Sequence, residues 1–127
     1  MINPWKWQDA LGFVQANEVT DAKRTLVCSG QVPVDGDGVP LHAGDMGKQI
    51  SAALENLETV LEQAGFELSQ VVRLTFYTTD VDGFMGAATE AMGRLVAAGC
   101  KPASTLIGVA RLFHPDVLIE MEATAMA

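Results

Sequence analysis

Positive charge is scarce in this sequence: 8 Lys and Arg stand against 16 Asp and Glu, a net charge of −8 over 127 residues. Nucleic-acid affinity rests largely on phosphate neutralisation by basic side chains, so the balance argues against a nucleic-acid partner. Cysteine is equally sparse. Cys28 and Cys100 lie far apart with no CxxC spacing, which reads as two reduced, buried thiols rather than a disulfide framework or a redox motif. His42 and His114 have no second His, Cys or carboxylate at ligand spacing, so no metal and no cofactor are expected. No apolar run approaches the ~18 residues of a membrane span, and the opening Met1 to Trp7, broken by Pro4 and Lys6, lacks the apolar core of a secretory signal. A cytoplasmic protein with no membrane partner is expected.

Apolar residues are abundant, at 49% against 19% charged. One domain over residues 1–127 is the natural reading of this length. The apolar excess is expected to be buried against further copies of the chain.

Residues 24 to 34 are rich in β-branched side chains and close on Asp35-Gly36-Asp37-Gly38, a strand followed by a turn. Leu11 to Val19 reads as its hairpin partner. From Asp45 the period changes: Ile50, Ala53, Leu54, Leu57, Val60, Leu61 and Ala64 recur at helical steps, with Asp45 as N-cap and Gly65 beyond the C-terminus. Val71 to Thr79 is a strand with Arg73, Thr75 and Tyr77 on one face. A second helix follows, with Phe84, Ala87, Ala88, Ala91, Leu95 and Val96 as its stripe, then strands over 103–113 and 117–125. The expected order is ββαβαββ, an α+β domain with a single sheet of about six strands and two helices on one face. Neighbouring subunits are expected to cover the other face.

In the last strand Glu120 and Glu122 fall on one face, opposite Ile119, Met121, Ala123 and Ala125. Spacing leaves two readings open: a solvated face, or a Glu120 that points into a cleft as a general base, its proton affinity raised by partial desolvation. Ser29-Gly30 likewise reads either as a strand-end bulge or as a cradle for a small anion. Trp5 and Trp7 read as packing residues ahead of ligand stacking.

Together these segments resemble the Rid family, also called YjgF or reactive-intermediate deaminases. The resemblance covers about residues 10–125 and rests on five ordered blocks: Cys28 to Val34, Gln49 to Gly65, Val71 to Asp80, Lys101 to Thr105 with Gly108 to Leu112, and Ile119 to Ala123. It implies a chorismate-mutase-like fold and a homotrimer with ligand clefts between subunits. It also implies cofactor-free hydrolysis of enamines and imines of 2-keto acids. By the same resemblance Glu120 is the catalytic glutamate that positions water, and Ser29 and Gly30 form the substrate cradle.

Three positions depart from the family pattern. Ser104 stands where the resemblance places a carboxylate-binding arginine, Phe13 where it places a tyrosine, and Leu106 where a cysteine is frequent. Loss of a desolvated guanidinium–carboxylate pair costs about 2 to 5 kcal/mol, a factor of roughly 30 to several thousand. The expectation is therefore a small-molecule-binding Rid-type trimer whose ordinary 2-imino-acid deaminase activity is weak or absent. Two alternatives stay open: a true deaminase with another carboxylate anchor, and a non-catalytic ligand-binding or regulatory trimer. Lys101 and Arg111 are not obvious substitutes for the missing arginine. The endoribonuclease label carried by some relatives conflicts with the net charge.

Overall fold

A computed structural model describes all of residues 1–127. Its spine is helix α1, Met46–Gln63. Asp45, in extended backbone, accepts the Lys48 N–H at 3.0 Å and satisfies one of the donors that a helix start leaves free. Ile50, Ala53, Leu54, Leu57 and Leu61 are buried on one stripe. Gly65, at φ 72°, turns the chain out of the helix.

Four strands make one mixed sheet: β1 Thr25–Val27, β2 Val71–Thr78, β3 Ala103–Gly108 and β4 Ile119–Met126, in the order β1-β4-β2-β3. β4 is antiparallel to both neighbours and β3 is parallel to β2, so β2 and β3 need a crossover. Helices α2, Val81–Ala87, and α3, Thr89–Ala97, supply it. Ile119, Met121, Ala123 and Ala125 of β4 join Leu74, Phe76, the α1 stripe, Phe84, Ala91 and Leu95 in a single core. The α+β class, the single sheet and the one-sided helices are thus as the sequence implies.

The edges differ from expectation. The second helix is two helices, with the break at Ala88, just beyond a short α2 that carries two glycines of low helix propensity, Gly83 and Gly86. The sheet has four strands rather than about six. Residues 11–19 form no hairpin with β1. Gly12, at φ 78°, turns the chain after a 3-10 turn at Asp9–Leu11, and Val14 then bridges Ala103 at the opposite edge of the sheet. β3 stops at Gly108 instead of Phe113 because its only full partner, β2, ends at Thr78.

The face away from the helices carries Val27, Thr75, Tyr77, Thr105, Ile107, Glu120, Glu122 and Thr124, as the pairing register requires. No helix covers it, and Val27 is 76% and Ile107 38% exposed.

Candidate functional site

Backbone pairing brings two segments to Glu120. β4 sets it opposite Tyr77 of β2. On the other side, the pairing with β4 slips by one residue between Val27↔Thr124 and Gln31↔Met121, which marks a bulge at Ser29-Gly30. Gln31 and Met121 close it by exchanging backbone hydrogen bonds of 2.7 and 2.9 Å. The bulge lays the backbone of Gly30 directly on the glutamate: a Cβ at this position would overlap Glu120 Oε1. Only glycine permits this approach. The strand-end bulge read from Ser29-Gly30 is present, and it is Glu120 that fills the space over Gly30.

Two side chains hold these segments in place. Asn56 of α1 donates from Nδ2 to the carbonyls of Val32 and Val34 at 2.8 and 3.0 Å, clamping the chain beyond the bulge. Gln49, fully buried, donates to the carbonyls of Leu41, His42 and Asp116 and accepts the Leu118 N–H at 2.9 Å. It thereby ties the loop before α1 to the start of β4. Neither role was read from the sequence, although an amide on the buried side of an apolar helix is a usable signal.

Glu120 is half-buried. Burial first, and the charge of Glu122 second, raise its proton affinity above the usual carboxylate range. Glu122 accepts the Tyr77 hydroxyl at 2.6 Å, and that bond is the main reason the phenol titrates higher than usual. Burial and the charges of both glutamates add to the rise, and Arg73 partly offsets it. Arg73 itself donates to Thr105 Oγ1 at 3.0 Å. Strand parity places Tyr77 on this face; its link to Glu122 is a diagonal contact that parity allows but does not specify.

Ser29 shares the bulge, and the remaining candidates lie elsewhere in the protomer. Ser29 is exposed, with its carbonyl accepting from Gln31 Nε2 at 3.2 Å. Ser104 and Leu106 pair with Leu74 and Phe76 and so share the helix-side face, opposite to Glu120 and two strands away. The Ser104 hydroxyl is occupied, donating to the Leu74 carbonyl at 2.8 Å. Phe13 sits by the β3 edge, its ring 6.1 Å from that of Trp7. It lines a cavity of about 240 Å³ with Asn3, Asp9, Val96, Cys100 and Lys101 among others. Trp5 and Trp7 are mostly exposed rather than packed into the core. No group of three or more His, Cys, Asp or Glu side chains has a metal-binding arrangement, and no helix is long and apolar enough to cross a membrane.

Residues 8–127 match the family model described as Endoribonuclease L-PSP. The chain belongs to the Rid (YjgF) family. A Yersinia pestis protein of the Rid family, YyfB, has the same fold with a TM-score of 0.90 and 33% identity, over 99% of this chain and 96% of that one. The 2-iminobutanoate/2-iminopropanoate deaminase of Salmonella typhimurium is 34% identical over 108 residues, 84% of this chain and 82% of the relative. Escherichia coli TdcF, solved with bound serine, gives a TM-score of 0.73 at 26% identity over 91% of this chain and 87% of its own. The Rid fold thus extends to the whole chain, including the sheet that carries Glu120.

Proposed function

We propose that this protein is a homotrimer that hydrolyses a small imine or enamine in clefts between subunits, with Glu120 as the group that activates water. The observation that carries this reading is the contact between Glu120 and Gly30: a carboxylate of raised proton affinity, pressed against a backbone that no side chain shields. Hydrolysis adds water to the C=N carbon and releases ammonia as the carbonyl forms. A carboxylate whose proton affinity moves toward neutrality suits both steps, taking a proton from water and returning one to the departing nitrogen. The relatives named as imine deaminases support this reaction class.

The same geometry supports assembly. Within one protomer Glu120 lies two strands away from Ser104 and Leu106, with Gly30 and the Phe13 edge farther out on either side, and one sheet face has no helical cover. Packing that face and edge against a second copy would bring the two halves of the site together.

The substrate would differ from a free 2-imino acid. Ser104 carries no charge, and its hydroxyl is already committed to Leu74, so the cleft has no cation at that position and a less acidic or more apolar ligand is favoured. One observation favours the second reading, a deaminase with another anchor: Lys101 lines the same cavity as Phe13. Following ammonia release from imines generated in situ by an amino-acid oxidase tests both. Glu120→Gln should abolish whatever hydrolysis the protein shows, and an unchanged rate would remove Glu120 from the mechanism. Loss of 2-iminopropionate hydrolysis in Lys101→Ala would establish the lysine anchor instead of the proposed substrate class.

A further inference from the structure

Glu120 and Glu122 project from the same side of β4, two residues apart, yet their surroundings differ. Tyr77 is the register partner of Glu120, but its hydroxyl reaches past that residue to donate to Glu122 at 2.6 Å. No hydrogen bond contributes to the proton affinity of Glu120, which is set by burial and by the neighbouring carboxylate. Two like groups with unlike partners are set up for unlike roles.

We propose that Tyr77 and Glu122 form a positioning pair: the tyrosine hydroxyl occupies the Glu122 carboxylate, so that Glu120, free of any such bond, is the one of the two that exchanges protons with water during hydrolysis. Neither residue needs to touch the substrate. This inference rests on Glu120 as the water-activating group and adds what selects it over its neighbour.

The charged and titratable groups facing Glu120 are few. β4 contributes Glu122; β2 contributes Tyr77, with Arg73 further along the same face. The bulge contributes Ser29, Gly30 and Gln31, and the register neighbours on β3 are Thr105 and Ile107, none of which titrates in the ordinary range. Arg73 is engaged with Thr105 Oγ1 and leaves Glu122 to the tyrosine. A hydrogen bond to a carboxylate favours its charged form, and a charge held close by repels a second one.

Tyr77 is the only tyrosine in the chain, so the tyrosinate absorbance of the intact protein reports this pair alone. The phenol should titrate above the range of free tyrosine in the wild type and move back toward it in Glu122→Gln. In parallel, the carboxyl carbon of Glu120, followed by NMR in the full-length protein, should titrate at lower pH in Glu122→Gln than in the wild type. In Tyr77→Phe, where two unpinned carboxylates compete for the first proton, its curve should spread into two steps. The acid limb of the pH–rate profile should follow the NMR curves. A phenol that titrates like free tyrosine in the wild type, or a Glu120 curve unmoved in both variants, would overturn the pairing while leaving Glu120 as the base. An unchanged rate in Glu120→Gln would instead overturn the reading on which the pairing rests. A merely structural role for Tyr77 predicts lower stability with an unaltered Glu120 curve, and that result would also overturn it.

Discussion

Gly30 and Glu120 occupy one another's space: the volume that any other residue at position 30 would fill is taken by the glutamate carboxylate. The neighbour that must give way is the end of a flexible side chain, so Gly30→Ala is expected to fold and to displace Glu120. A shift of about 1 Å in a catalytic group costs on the order of 10²-fold in rate, and steady-state hydrolysis with a parallel thermal melt separates this loss from unfolding. Glu120 itself is held at a cost to stability. Its folded-state proton affinity is raised by burial and by Glu122, so the stability present below the ordinary carboxylate range is lost as pH rises through the folded value. Glu120→Gln removes the charge and should therefore gain stability relative to wild type on going from acid to neutral pH, a trade common at functional sites. Thermal melts of both proteins at the two pH values check this; a gain that is the same at both would contradict the assignment.

At the scale of elements, α1 does more than cover the sheet. Its apolar stripe builds the core, while Gln49 and Asn56 reach out of it to the segments that flank Glu120. Asn56→Ala should cost about 1 to 3 kcal/mol by leaving the Val32 and Val34 carbonyls without their donor, measured by denaturant unfolding. Asn56→Asp retains the shape and loses the donor, and should be comparably destabilising. The helix period, the Asp45 cap, the Gly65 exit and the alternation of β4 were legible because each is set by local backbone chemistry. What escaped was set at a distance. The end of β3 depends on where β2 stops, and the fate of residues 11–19 depends on Pro102 and Ala103 offering a partner. The bulge was visible as Ser29-Gly30, but its contact with Glu120 needs the register of β1 against β4. A second bulge, at Val72, where pairing slips between Val71↔Ala125 and Arg73↔Thr124, keeps Val71 buried with Leu74 and Phe76. No alternating pattern announces it.

For the whole molecule, one sheet face has no helix over it, and the proposed site, with Glu120 on β4 and Ser104 on β3, requires further copies to complete it. Light scattering at micromolar concentration should give three times the mass of the chain, and a monomer would contradict the proposed cleft. The thiols should be silent in the native protein. Burial raises Cys28 and pushes Cys100 up to about 12, so neither should react with a disulfide reagent at neutral pH until denaturant is added. The central claim, however, is that the Rid chemistry is kept at Glu120 while the anchor for a substrate carboxylate is missing at Ser104. Ammonia release from 2-iminopropionate generated in situ, compared between wild type and Ser104→Arg, tests it most directly. The account predicts slow hydrolysis by the wild type and an increase of at least roughly 30-fold in Ser104→Arg, the low end of what a desolvated guanidinium–carboxylate pair supplies. Rapid hydrolysis by the wild type, with no gain from the arginine, would contradict it.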